Sequence, residues 1–464
     1  MKTCFIASAS LMNAFSLNLG RLLLLAGIAL LAAACGGDDD TEAPPPVLRF
    51  FSADDGVGGQ ELWQSDGTAA GTTLLKDINP TGGSFPGGFT FFDGSLYFSA
   101  DDGTNGSELW KSDGTAAGTV MVKNINPSGT SNPGRFAVFN GALYFAADDG
   151  TNGRELWKSD GTAAGTVPVK DINPGRGSSF PADLIIFRDM LFFTADDGTD
   201  GEELWRSDGS AAGTVPVKDI NAGGGSSFPD DLTIFRGRLY FSANDGKDGK
   251  ELWRSNGTAA GTVLVRDINA GGASGSPQEL IVLNDTLYFS AADGNLWNSD
   301  GTEAGTQKVK NNPPLGIGPQ QLSAFNGELY FMANGGAGGT ELWKSDGSDA
   351  GTVMVKDINP GAVGSFPESF IVFGNQLYFN AADNANGREL WRTDGTADGT
   401  ILLRDINPIN TGSDSPGEFM VLDDTLSFFA NDGASGNELW RSDGTEAGTI
   451  MVKDICPGAC SGRT

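Results

Sequence analysis

Leu96-Tyr97-Phe98-Ser99-Ala100, Asp101-Asp102-Gly103-Thr104-Asn105-Gly106, then Glu108-Leu109-Trp110-Lys111 and Ser112-Asp113-Gly114-Thr115-Ala116-Ala117-Gly118-Thr119 make up most of one repeating unit. The unit continues through Val120-Met121-Val122-Lys123 and Asn126-Pro127-Ser128-Gly129 to Phe136-Ala137-Val138-Phe139, closed by Asn140-Gly141. Its apolar runs are short, β-branched or aromatic, and Asp-Gly, Asn-Gly and Asn-Pro separate them. Such punctuation marks strands and hairpins and leaves no window long enough for a helix.

The tryptophans show how far the unit extends. All nine occur in the same local sequence: Trp63, Trp110, Trp157, Trp205, Trp253, Trp297, Trp343, Trp391 and Trp440. Successive spacings are 47, 47, 48, 48, 44, 46, 48 and 49 residues, a period that belongs to propeller blades or stacked units. The LYF, ELW and GTxxVKDI segments each occur nine times and the FxxF segment between units eight times, which predicts 35 strands. Nine four-stranded blades need one more, so one blade is a strand short unless residues before Leu48 supply it. The expected fold is all-β, a closed propeller of nine blades, since radial closure protects sheet edges without helices. Two smaller propellers or a β-solenoid are the alternatives, although no linker interrupts the repeat between Leu48 and Asp454.

These units resemble the ELWxxDGT repeat family of exported bacterial proteins. Seven keep Glu-Leu-Trp-x-x-Asp-Gly-Thr/Ser in full; the fifth has Asn256 for Asp and the sixth Asn295 for Glu. The resemblance covers about 410 residues and implies a secreted or surface-attached protein with a propeller-like fold. It implies no particular activity or ligand.

The N-terminus reads as an address. Leu22–Ala34 is an apolar run of 13 residues after Arg21, too short to span a bilayer and suited to the core of a signal peptide. It ends in Leu31-Ala32-Ala33-Ala34-Cys35, which resembles a bacterial lipobox with its Leu one place early, and so implies lipidation of Cys35. Translation starts at Met1 or Met12. Gly36–Pro46, acidic and ending in prolines, follows as a tether. The expected organisation is a signal peptide over 1–34, lipidated Cys and tether over 35–47, propeller over 48–455, and a tail over 456–464. In that tail Cys456 and Cys460 flank Pro-Gly-Ala and suit a small disulfide in an oxidising compartment.

Composition excludes several functions. Without Lys2 and Arg21 the mature chain carries 28 basic and 59 acidic side chains, a charge of −31. Such a surface repels nucleic acid, whose binding needs clusters of Lys and Arg. The chain has no His, so Ser-His-Asp and Cys-His machinery and His-held zinc or haem are excluded.

The recurrent residues have structural explanations. Glu and Lys or Arg lie 15 residues apart in eight units, from Glu61/Lys76 and Glu108/Lys123 to Glu438/Lys453. A regular hairpin would make them cross-strand ion pairs and leave Lys310 opposite Asn295, the unpaired member. The tryptophans fit blade-to-blade packing better than sugar stacking. Asp-Gly-Thr fits a turn in which Asp bonds the backbone two residues on. The acidic loops concentrate oxygen ligands, and Asp101, Asp102, Asn105, Asp148, Asp149 and Asn152 are candidate calcium ligands. No other cofactor is expected.

Strand parity places the acidic loops on the same propeller face as the long Asn-Pro connections, such as Asn173–Pro181. Long, variable loops on a rigid frame are where binding is expected. The expected function is a non-catalytic, lipid-anchored scaffold outside the cytoplasm, at the outer membrane or cell surface, that binds a protein or glycan. A part in outer-membrane assembly is a runner-up by analogy of fold. A calcium-dependent adhesin is one alternative; a propeller hydrolase or quinone-dependent oxidoreductase is another. A single asymmetric acidic cleft at the axis would favour the enzyme, and a uniform ring the scaffold.

Overall fold

The computed structural model describes residues 48–309, 318–408, 416–422, 424–458 and 461–462. These contain 35 strands and no helix, grouped into nine separate antiparallel sheets. Each sheet is one blade of a closed nine-bladed propeller. The first has three strands among the described residues: β1 (Arg49–Asp54), β2 (Gln60–Ser65) and β3 (Thr73–Lys76). The second has four: β4 (Gly87–Phe92), β5 (Ser95–Asp101), β6 (Ser107–Ser112) and β7 (Val120–Lys123). The FxxF strand therefore opens each later blade. It is also the innermost, because β4 and its counterparts approach one another from blade to blade around the axis.

Burial follows from this stacking. Blades cover both faces of the two central strands, so Leu96, Phe98, Ala100 and Leu109 are at most 1% exposed and the strands read as nearly continuous apolar runs. Every Trp is buried and joins a cluster with the preceding blade: Trp110 packs with Phe50, Leu62 and Leu75. The ring closes in the same way, with Trp63 and Phe51 of the first blade packed against Phe429, Leu439 and Val452 of the ninth.

The expected Glu–Lys ion pairs do not form. A bulge between Leu109 and Trp110 sets Lys123 opposite Leu109 while Trp110 still opposes Met121. One extra residue reverses the side on which the following side chain emerges, so Lys123 turns away from Glu108. Its Nζ donates to Thr166 O of the next blade at 2.6 Å and stands 5.8 Å from the centre of the Trp157 ring. Lys76, Lys170, Lys218 and Lys453 make the same crossing. Lys310 lies outside the described residues.

The turns are as expected. Asp113 Oδ1 accepts the Thr115 N–H at 2.9 Å and its hydroxyl at 2.7 Å, while Gly114 has φ 90°. Asn256 makes both bonds to Thr258, at 3.0 and 2.8 Å, so the charge is dispensable there.

Candidate functional site at the axial mouth

The motif glutamates, at most 3% exposed, clamp the connections between blades. Glu155 Oε2 accepts the Ile172 N–H at 2.9 Å and the Ser179 hydroxyl at 2.6 Å, and Oε1 accepts the N–H groups of Asn173 and Ser179 at 3.3 and 3.2 Å. Burial is the main influence on the Glu155 carboxyl and pushes it above the usual range, against the pull of these donors.

The clamp also sets the backbone just beyond it. Ser179 is succeeded by Phe180 and Pro181, and Phe180 is held at φ 48° with its ring 64% exposed. Phe85 and Phe228 stand in the same place at φ 48° and 47°, 65% and 54% exposed. A bulky residue with positive φ is uncommon and costs about 1–3 kcal/mol. Asn132, at φ 46°, holds this place in the third blade.

Three residues on, each FxxF strand of blades two to nine carries a second left-handed residue, among them Arg135, Asp183, Asp231, Glu279 and Gln321, with φ 53–60°. At these positions the strand bulges away from its neighbour, as between Ala182 and Ile185. The carboxylates reach around the ring: Asp231 Oδ2 accepts the Glu279 N–H at 2.8 Å, and Glu279 Oε2 accepts the Leu322 N–H at 2.8 Å. Burial raises Asp183, with Asp230 adding to it. Burial and then Asp230 push the Asp231 carboxyl up to about 7, and burial raises Glu279. Lys250 Nζ lies 3.3 Å from Asp230. The axial mouth is thus asymmetric: three adjacent acids over blades four to six, Gly88 and Arg135 in blades two and three, Gln321 and Ser369 in seven and eight, and in blade nine Glu418, 3.8 Å from the Arg49 guanidinium. Further along the axis the innermost strands expose Ile186, Ile234 and Val282, each 37–43% accessible.

The candidate calcium residues are bonded within their own loops. Asp101 Oδ1 accepts the Gly103 N–H at 2.7 Å. Asp102 Oδ1 accepts the N–H groups of Thr104 and Asn105 at 2.9 and 2.7 Å, and its Oδ2 accepts Asn105 Nδ2 at 2.7 Å. Asp148, Asp149 and Asn152 repeat the pattern. Partial burial pushes Asp102 up, but the Asn105 and Thr104 donors outweigh it and hold the carboxyl below its usual range. Among the described residues no three acidic or Cys side chains are grouped to hold a metal ion. Cys456 is buried and disulfide-bonded; Cys460 and Cys35 lie outside the described residues.

Sequence reasoning placed the loop face but not the axial residues on it. The usable signal was one variable polar position, Gly88, Arg135, Asp183, Asp231, Glu279, Gln321, Ser369 and Glu418, inside an otherwise apolar repeated strand.

A family model described as outer membrane protein assembly factor BamB matches residues 193–352, from blade four to the turn of blade seven. No curated protein matches the chain. Among solved structures, the chain is similar to the computationally designed Ika8 protein at 13% identity, covering 74% of this chain and 93% of that one, with a TM-score of 0.42. A Mycobacterium tuberculosis puromycin-hydrolyzing peptidase is similar at 11% identity and TM-score 0.38, over 76% of this chain and 59% of the peptidase. A prolyl endopeptidase is similar at 11% identity and TM-score 0.42, over 76% of this chain and 55% of the enzyme. The chain therefore spans less than two thirds of either peptidase.

Proposed function

We propose that this protein is a lipid-anchored, non-catalytic scaffold of the cell envelope that presents the loop face of its propeller to a protein or glycan. The contrast between the two faces carries this reading. The turn face repeats the same Asp-to-Thr or Asp-to-Ser bonds from blade to blade, whereas the loop face sets differing charges and exposed Phe rings on a constant frame. Varied side chains on rigid loops are the means by which repeat scaffolds recognise a partner. Support for the envelope location comes from the Leu22–Ala34 leader, the lipobox-like Cys35 and the assembly-factor family model.

The adjacency of Asp183, Asp231 and Glu279 on three successive blades favours a second reading, hydrolysis at the axis by carboxylates alone. It weighs less, because Asp231 and Glu279 already accept backbone N–H groups of the following blade. Burial explains the upward shift of both carboxyls without a reaction.

A photo-crosslinking residue placed in intact cells tests the scaffold. At Thr199 on the loop face it is expected to give a defined adduct, and at Glu303 on the turn face none. Cys35→Ser is expected to move the protein out of the membrane fraction. Equal labelling from both faces, or none from Thr199, would sink the proposal.

A further inference from the structure

Three features meet along the innermost strands of adjacent blades and the residues that lead into them. Phe180, Asp183 and Ile186 follow at intervals of three residues in blade four, and Phe228, Asp231 and Ile234 repeat them in blade five. Blade six continues the lower part with Glu279 and Val282. From the rim inward, a ligand would meet an exposed aromatic ring, a carboxylate and an exposed aliphatic side chain. The charge balance is acidic, with Asp230 and Glu202 beside Asp183, against the two cations Arg135 and Lys250. Each innermost strand is also the last of its sheet, so one of its backbone edges faces the axis without a partner strand from its own blade.

We propose that the loop-face mouth of the axis, over blades four to six, binds an extended polypeptide segment that carries Lys or Arg between apolar side chains. The proposal deepens the scaffold reading and rests on it. A cation is stabilised both by the acidic arc and by the faces of Phe180 and Phe228. Apolar residues on either side of it reach Ile186 and Ile234, and an extended backbone can bond a strand edge. A neutral glycan has no charge to match the arc.

A displayed library of random nonapeptides, selected on the full-length protein in detergent, tests this. Enriched sequences are expected to carry Lys or Arg flanked by apolar residues. Asp183→Asn with Asp231→Asn, and separately Phe180→Asn with Phe228→Asn, are each expected to weaken the selected peptides about tenfold, the effect of about 1.4 kcal/mol. Asn keeps the left-handed backbone, as Asn132 does in blade three. Glu303→Gln with Glu446→Gln, a pair of exposed acids on the turn face, is expected to change affinity less than about twofold. Enrichment without basic residues, or equal loss from the turn-face pair, would overturn the proposal. If Thr199 still gives its adduct in cells after such a result, the scaffold stands and only the axial site falls; if that adduct is absent as well, both fall.

Discussion

At Glu203, Oε2 accepts the Ile220 N–H at 3.0 Å and the Ser227 hydroxyl at 2.6 Å, while Oε1 accepts the Ser227 N–H at 3.1 Å. Burial pushes this carboxyl from 4.5 up to about 7, and Asp219 adds to it; burial likewise pushes Glu389 to about 7. A folded-state value above the unfolded one means the native form holds its proton more tightly. Stability from these groups is then fully present below about pH 4.5 and lost as pH rises through about 7. The melting temperature is therefore expected to fall between pH 5 and pH 8. Glu203→Gln with Glu389→Gln should flatten that fall when calorimetric scans are compared; an unchanged slope would remove the clamps as its cause. Sequence spacing suggested ion pairs here because the bulge adds its residue inside Val-x-Val-Lys, a run that reads the same with or without it. The DGT turns were legible because their bonds are local.

Between blades, the unit of cohesion is a Trp under a cation from the preceding blade. Lys123 bonds Thr166 O and covers Trp157, and both contacts are lost in Lys123→Ala. A cost of about 1–3 kcal/mol is expected from urea unfolding. Lys123→Arg should recover most of it, since Arg266 and Arg404 already stand 5.8 and 5.7 Å from the Trp297 and Trp440 ring centres. Equal losses in the two variants would assign the stability to something other than the cation. At this scale the sequence was highly informative: nine equivalent Trp and eight FxxF strands give the blade number and, among the described residues, the one sheet of three strands. It said less about the axis, because a strand reading of Gly134–Phe139 or Ala182–Phe187 does not reveal the left-handed second residue. Arg135 and Asp183 become neighbours of the mouth only once the ring is closed.

Closure depends on side chains where the chain itself does not continue. Lys453 Nζ donates to Thr72 O at 2.7 Å. Arg49, 1% exposed, donates to Ser427 Oγ at 2.8 Å and lies 4.9 Å from the Phe429 ring centre. In a ring whose units touch only their neighbours, weakening one interface opens that interface first. Lys453→Ala is thus expected to speed amide exchange in blades one and nine while blades four to six keep wild-type protection; a uniform increase would count against a local seam. The C-terminal segment stands in for a connection at this seam. Gly462 N donates to Glu438 Oε1 at 2.8 Å, as the connection serines do to their glutamates, and Gly462 O accepts the Asp54 N–H at 2.8 Å. The chain has therefore walked back to its own starting blade, and its backbone bonding there matches that at the Glu108 and Glu155 junctions. Joining residue 462 to residue 48 by a short linker and cutting instead at Gly175 would give a circular permutant with the same set of interfaces. In that sense the order of the blades is a property of the gene, and among the described residues only the three-stranded sheet marks where the ring begins.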